Sequence, residues 1–117
     1  MNLLSGLFGP PVPTLSAKEL SEKLKTTKCP LVIDVRHPEE YRDAHIAGAK
    51  LMPLGELNKY MQELPKDREI VCVCASGNRS SSATRQLVNA GYTAINMNGG
   101  MSGWQRAGLP VKKGSAA

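Results

Sequence analysis

The chain has 117 residues, of which 41% are hydrophobic and 21% charged, and it carries a net charge of +5 at neutral pH. This length suits one domain, and a composition with one Trp, one Phe and three Tyr leaves the core to aliphatic side chains. The basic residues are spread along the chain without an aromatic platform, which argues against a nucleic acid partner, and no stretch has membrane-spanning length.

Cysteine usage indicates the compartment. The three cysteines are an odd number and lack the spacing of a disulfide framework, which favours a reducing environment, so we expect the protein in the cytoplasm. Cys29 stands beside a proline between two predicted elements, and we expect it to be a partly buried bystander.

The first part of the chain predicts an extension, a strand and a helix. Residues 1–11 are predicted to form an N-terminal extension, because their apolar start lacks the basic residues of a signal peptide and leads into two prolines. A short strand within residues 12–15 should follow. The spacing of Ser16 and Glu19 is that of a capping box, which predicts a helix starting at Ser16.

A buried strand with a charged end comes next. Residues 31–33 are an apolar, partly β-branched run, and the run continues into Asp34 and Arg36. Charged residues at the carboxyl end of a buried parallel strand lie at the edge where ligands bind in α/β sheets. We expect these two side chains to support that edge by hydrogen bonds and charge pairing, with no part in the chemistry.

The only two histidines of the sequence lie on either side of the next predicted helix. Pro38 suits the first turn of a helix, and Tyr41 should face inward. His45 invites interpretation as a metal ligand or a base, but the other histidine is His37, and neither a cysteine nor a carboxylate completes a ligand set at a recognisable spacing. We therefore predict no metal site.

The rest of the chain continues the alternation of strands and helices. A third strand is predicted over 50–52, a helix from Pro53, strands over 70–73 and 93–97, and a short closing helix over 104–108 in which Trp104 is a packing anchor. Such alternation predicts an α/β fold, with a mostly parallel central sheet of about five strands and helices on both faces.

The stretch after the fourth strand is the candidate catalytic loop. Cys74 stands where the strand ends, and a helix follows the loop as far as Gly91. Backbone N–H groups and the positive end of that helix can converge there on one anion, which favours a thiolate, and Arg79 adds positive charge. The alternative is that Cys74 is a small apolar residue at a strand end. Cys72 points to the same face but lies near or beyond the reach of a relaxed disulfide to Cys74.

The loop sequence CASGNRS, from Cys74 to Ser80, resembles the active-site loop of the rhodanese (sulfurtransferase) family. Further landmarks of that family follow in the same order and spacing, and they cover residues 12–111, which we predict to be one rhodanese domain, with 112–117 as a C-terminal tail. At one position Ala44 replaces the usual glycine. The landmarks are the strand ending in Asp34-Val35-Arg36, the segment from Pro38 to Ala49, and the segment from Gly99 to Val111.

The resemblance implies a rhodanese-like fold and a sulfurtransferase. Cys74 would take sulfane sulfur from a small anionic donor (thiosulfate, a polysulfide or a persulfide), hold it as a persulfide, and pass it to cyanide or to a thiol, including a protein thiol. Arg79 would attract the donor, and no metal or organic cofactor is implied. The loop residues whose N–H groups would bind the transferred sulfur are Ala75, Ser76, Gly77, Asn78, Arg79 and Ser80.

Three questions stay open at this level. Similar thiosulfate enzymes carry basic residues where this loop has Ala75 and Ser76, which leaves polysulfide or a protein persulfide open as the donor. A rhodanese-like module could bind or carry sulfur without catalysis. Cysteine phosphatases of similar fold separate their nucleophile and arginine by five residues, whereas four separate Cys74 and Arg79, which favours sulfur chemistry.

Overall fold

The computed structural model describes residues 11–117, so the predicted extension over 1–11 lies almost wholly outside the described residues. Five strands and five α-helices alternate along the described part of the chain. In order they are β1 (Thr14–Leu15), α1 (Ala17–Lys23), β2 (Leu31–Asp34), α2 (Pro38–Asp43), β3 (Lys50–Leu51), α3 (Leu57–Tyr60) between 3₁₀ turns at Leu54–Glu56 and Met61–Glu63, β4 (Ile70–Val73), α4 (Asn78–Asn89), β5 (Ala94–Met97) and α5 (Gly100–Arg106).

The five strands form one parallel sheet in the order β1-β5-β4-β2-β3, which confirms the predicted fold class. β4 lies at the centre, with Asp34 of β2 in register with its last residue, Val73. Because all strands are parallel, their carboxyl ends meet at one edge of the sheet. Cys74 and Arg36 both lie just beyond that edge.

Helices cover both faces of the sheet, as predicted. On one face Leu20, Tyr41 and Trp104 pack from α1, α2 and α5, and on the other Leu57 and Leu87 pack from α3 and α4. The residues of β4 alternate between these two cores and all are buried, which explains why the strand is apolar on both sides.

The start of α1 confirms the predicted capping box. Ser16 Oγ accepts from the backbone N–H of Glu19 at 3.1 Å, and the Glu19 carboxylate accepts from the Ser16 N–H at 2.9 Å. At the start of α2, Pro38 occupies the first turn and Tyr41 is 2% exposed, as expected.

Two helices differ from their predicted form. The helix expected from Pro53 is a short α-helix between two 3₁₀ turns, although its apolar residues still share one face. The closing helix was placed too late: it begins at Gly100, because Gly99 and Gly100, both with positive φ, turn the chain directly into it. Trp104 is 2% exposed and its Nε1 donates to the Pro110 carbonyl at 2.8 Å, which confirms it as a packing anchor.

Residues at the start of the predicted tail pair with the domain. The backbone of Lys112 exchanges two hydrogen bonds with that of His45, at 2.8 and 2.9 Å, and Gly114 N–H donates to the Arg42 carbonyl. No helix within residues 11–117 combines the length and hydropathy needed to cross a bilayer.

Candidate active site

Cys74 is placed by a buried strand and a tight turn. It follows β4 directly, and Gly77 ends the loop with φ of 107° before α4 begins at Asn78. A side chain is strained at that φ, so glycine lets the loop reverse within three residues. The turn brings the Gly77 N–H to 3.1 Å from the Sγ of Cys74.

The environment of Cys74 favours the thiolate. The residue has no exposed surface, and burial alone raises the pKa of its thiol. Hydrogen bonds from the Ser80 hydroxyl and from the backbone N–H groups of Ser80, Gly77 and Ser76 outweigh that effect, so the pKa lies below its usual value. The Ser80 oxygen is 3.3 Å from Sγ.

Asn96 of β5 orients two groups around the thiol. Its Oδ1 lies 2.6 Å from the Ser80 hydroxyl oxygen, and its Nδ2 donates to the Gly77 carbonyl at 3.2 Å. Sequence reasoning missed Asn96. The available signal was a carboxamide inside a strand that is otherwise apolar, since a buried amide needs hydrogen-bond partners.

The first turn of α5 holds the loop from the other side. The N–H of Met101 donates to the Cys74 carbonyl at 2.8 Å, and the N–H of Ser102 donates to the Ala75 carbonyl at 3.1 Å. A Cβ on Gly100 would lie 2.5 Å from both carbonyl oxygens, so only glycine permits this approach. Sequence reasoning missed this contact.

Holding the Ala75 carbonyl also orients the next N–H. In a trans peptide the carbonyl of one residue and the N–H of the next point in opposite directions. The Ala75 carbonyl faces α5, and the Ser76 N–H is one of the groups that lower the pKa of Cys74. The side chains of Ser76 and Asn78 are exposed, and Ala75 is half-buried.

Asp34 and Arg36 form a buried ion pair beside the loop. The Arg36 guanidinium donates to both Asp34 carboxylate oxygens, at 2.9 and 2.8 Å, and to the Ala44 carbonyl at 2.6 Å. The exposed fraction is 1% for Asp34 and 6% for Arg36. The pair joins the end of β2 to the segment after α2.

Arg79 is paired with a residue that sequence reasoning did not place in the site. Its guanidinium donates to both carboxylate oxygens of Glu40 in α2, at 2.8 and 2.9 Å. This hydrogen bonding lowers the pKa of Glu40 to about 2 and raises the pKa of Arg79, to which the charges of Cys74 and Asp34 also contribute. Glu40 also accepts from the His37 N–H, the helix-start role that its sequence position predicts.

The other thiols have different surroundings. Cys72 is fully buried, and burial raises the pKa of its thiol to about 12, so it is neutral at physiological pH. Cys29 is half-buried at the opposite end of the sheet, beside the Arg68 guanidinium.

His45 is buried and stacks on the Tyr41 ring, with 3.7 Å between the two ring centroids. Residues 11–117 contain no group of three or more His, Cys, Asp or Glu placed to hold a metal ion.

Comparisons with known proteins identify the family. The sequence profile of the rhodanese-like domain matches residues 16–107, and the chain belongs to this family. A protein of Allochromatium vinosum named sulfurtransferase is 37% identical over 83% of this chain and 92% of its own length. A Bacillus subtilis protein named as a candidate sulfur carrier is 37% identical over 80% of the chain, which spans about half (51%) of that protein.

Solved structures agree with the fold. The crystal structure of a rhodanese-related protein from Thermoplasma volcanium superposes with a TM-score of 0.80 and is 32% identical. The match covers 86% of this chain and 97% of that protein.

Proposed function

We propose that the protein is a sulfurtransferase that holds sulfane sulfur as a persulfide on Cys74. The observation that carries this proposal is the Sγ of Cys74, which accepts hydrogen bonds from the Gly77 N–H and the Ser80 hydroxyl at the end of a buried strand. Membership of the rhodanese family, and a relative named sulfurtransferase, support sulfur transfer in general.

In the first half-reaction the Cys74 thiolate attacks the outer sulfur of the donor. A bond forms between Sγ and that sulfur, and the donor's sulfur–sulfur bond breaks with its electron pair remaining on the leaving group. Thiosulfate leaves as sulfite, and a persulfide donor leaves as a thiolate. The product is a Cys74 persulfide with one negative charge, which the N–H groups of the loop stabilise.

In the second half-reaction cyanide or a thiolate, including that of a protein, attacks the outer sulfur. The bond to Sγ breaks, its electron pair returns to Cys74, and thiocyanate or a new persulfide leaves. No oxidant or reductant is consumed over the cycle. Because hydrogen bonds already lower the pKa of the Cys74 thiol, the attack needs no general base.

The surroundings of Arg79 favour sulfur over phosphate. A phosphatase of this kind needs a guanidinium that faces the phosphoryl oxygens, whereas Nη1 and Nη2 of Arg79 both donate to Glu40. Only four residues separate Cys74 from Arg79, and the loop N–H groups already converge on the single sulfur atom. This geometry supports a site for one transferred sulfur.

The test is to incubate the protein with polysulfide, thiosulfate or an alkyl persulfide, without an acceptor, and to measure its intact mass. We expect a gain of one sulfur atom, its loss on adding cyanide, and no gain in Cys74→Ser. Repeated thiocyanate formation per protein molecule would establish an enzyme, whereas a single discharge would establish a carrier. Turnover of an aryl phosphate with no persulfide formed would contradict the proposal.

A further inference from the structure

Two arginines beside the loop, Arg36 and Arg79, are each paired with a carboxylate. Asp34 and Arg36 form one ion pair, and Glu40 and Arg79 form the other, both with two hydrogen bonds between the partners. The loop therefore has an arginine four residues beyond its nucleophile, Cys74, but the fork of that arginine is occupied by a carboxylate.

Resting on the proposed sulfur transfer, we infer that Glu40 is a specificity-determining residue. By holding the guanidinium of Arg79, it disfavours a doubly charged donor such as thiosulfate and leaves the site to donors that present a singly charged sulfane chain, such as an alkyl persulfide.

The geometry of the pair explains this selection. A thiosulfate ion can bind the pair of Arg79 N–H groups that faces Glu40 only by displacing a bidentate carboxylate, which is among the stronger hydrogen-bonded arrangements in proteins. The displaced Glu40 would then face a second anion carrying two charges. The bond to Arg79 lowers the pKa of Glu40, and even at its ordinary value of 4.5 a displaced Glu40 stays ionised at neutral pH, so proton uptake does not relieve this repulsion.

A persulfide donor avoids both penalties. Its outer sulfur needs only the donors at the centre of the loop, the Gly77 N–H and the Ser80 hydroxyl, and its organic part carries no second charge near Glu40. The small residues Ala75 and Ser76, where a thiosulfate enzyme of this family carries basic ones, supply no compensating charge.

The ion pair of Glu40 and Arg79 contributes little to the stability of the fold. Glu40 and Arg79 are about one-third exposed, with side-chain values of 32% and 33%, and ion pairs with such access to water contribute little to folding. The same helix is anchored independently by Tyr41, which is buried and donates its hydroxyl to the Ala49 carbonyl at 2.6 Å. Replacing the Glu40 carboxylate with an amide of the same shape should therefore leave α2 in place.

The decisive variant is Glu40→Gln, with Glu39→Gln as its matched control. Glu39 precedes it on the same helix and is exposed, so both variants change the net charge equally. The kcat and KM of each are measured for thiosulfate and for 2-hydroxyethyl persulfide, whose organic part is uncharged, with cyanide as acceptor. We expect Glu40→Gln to lower the KM for thiosulfate about fivefold to tenfold and to steepen its salt dependence. The persulfide constants should change less than about twofold, and Glu39→Gln should behave like wild type.

A third variant shows whether the gain acts through Arg79. If Glu40 works by occupying that guanidinium, the double variant Glu40→Gln with Arg79→Ala should lose the improvement in thiosulfate KM. Persistence of the gain without Arg79, equal effects on both donors, or equal effects of Glu39→Gln would each overturn the inference. A wild-type protein that forms no Cys74 persulfide with any donor would instead overturn the proposed function, so the two failures are distinct.

Discussion

Ser80 carries one hydroxyl proton and has two acceptors within reach, the sulfur of Cys74 and the side-chain oxygen of Asn96. When the thiol is protonated, the hydroxyl can donate to Asn96 and accept from the sulfur. When the thiol ionises, the same proton can turn to the sulfur, which gains a donor as it gains charge. Ser80 therefore stabilises the thiolate of Cys74, which is the form that the proposed reaction uses.

Replacement of Ser80 should make this visible. Its hydroxyl contributes the largest of the hydrogen bonds that lower the pKa of Cys74, so Ser80→Ala should raise that pKa. At pH values well below the wild-type pKa the thiolate fraction falls about tenfold per unit of the shift, and alkylation slows accordingly. The measurement is the rate of iodoacetamide alkylation against pH.

Two further variants are compared with Ser80→Ala. Ser81→Ala, one residue further along α4, is the control and should keep the wild-type profile. Arg79→Ala should raise the pKa of Cys74 less than Ser80→Ala does, because several backbone donors remain and the guanidinium is shared with Glu40. If wild type already titrates like a free cysteine, the account of the loop is wrong.

At the scale of elements, the loop from Cys74 to Ser80 is held between β4 and the first turn of α5. The strand, loop and following helix could be predicted from the sequence because they are continuous in it, and the apolar run before Cys74 marks the strand. The contact with α5 could not be predicted, because a pair of glycines indicates a turn as well as it indicates a close approach between two backbone segments. Only the position of Gly100 against the carbonyls of Cys74 and Ala75 shows why no side chain fits there.

Gly100→Ala tests that contact. The new Cβ would meet backbone atoms of Cys74 and Ala75 at 2.5 Å, so either α5 or the loop must shift. We expect a loss of roughly 1–3 kcal/mol in the free energy of unfolding, measured in urea, and a larger proportional loss of sulfur transfer.

The matched control is Gly108→Ala. Gly108 also has positive φ, 74° against 56° at Gly100, but nothing lies within 4 Å of its Cβ position. This variant carries a similar backbone penalty without the steric clash, so it should retain activity. Equal activity losses in the two variants would show that the close approach of α5 does not shape the loop.

At the scale of the whole molecule, the parallel sheet places Cys74 and Arg36 at the carboxyl ends of the strands and Cys29 at the opposite end. The sheet could be predicted because five strand-forming runs alternate with helices, and the candidate site could be proposed because Cys74 and its loop are adjacent in sequence. The pairing of Glu40 with Arg79, 39 residues apart, and of Lys112 with His45 could not be predicted, because no local pattern encodes them.

The thiols provide a test at this scale. Cys72→Ser and Cys29→Ser should keep most sulfur transfer, since one thiol is neutral in the core and the other lies at the far end of the sheet, whereas Cys74→Ser should abolish it. The rates are compared by thiocyanate formation with cyanide as acceptor. A loss in Cys72→Ser comparable to that in Cys74→Ser would contradict the assignment of a single catalytic thiol.

The register of the sheet also bears on how long a persulfide on Cys74 would persist. Leu31 pairs with Ile70, so Cys29 lies level with Arg68, six residues short of Cys74 and about 20 Å away along the strands. A disulfide needs Cα atoms within about 7 Å, so Cys29 cannot discharge a persulfide on Cys74 in the same chain. Cys72 is a neutral thiol in the core, so on the proposed chemistry neither thiol removes sulfur that was taken up while the donor was abundant. The supply of acceptor then sets the lifetime of that store.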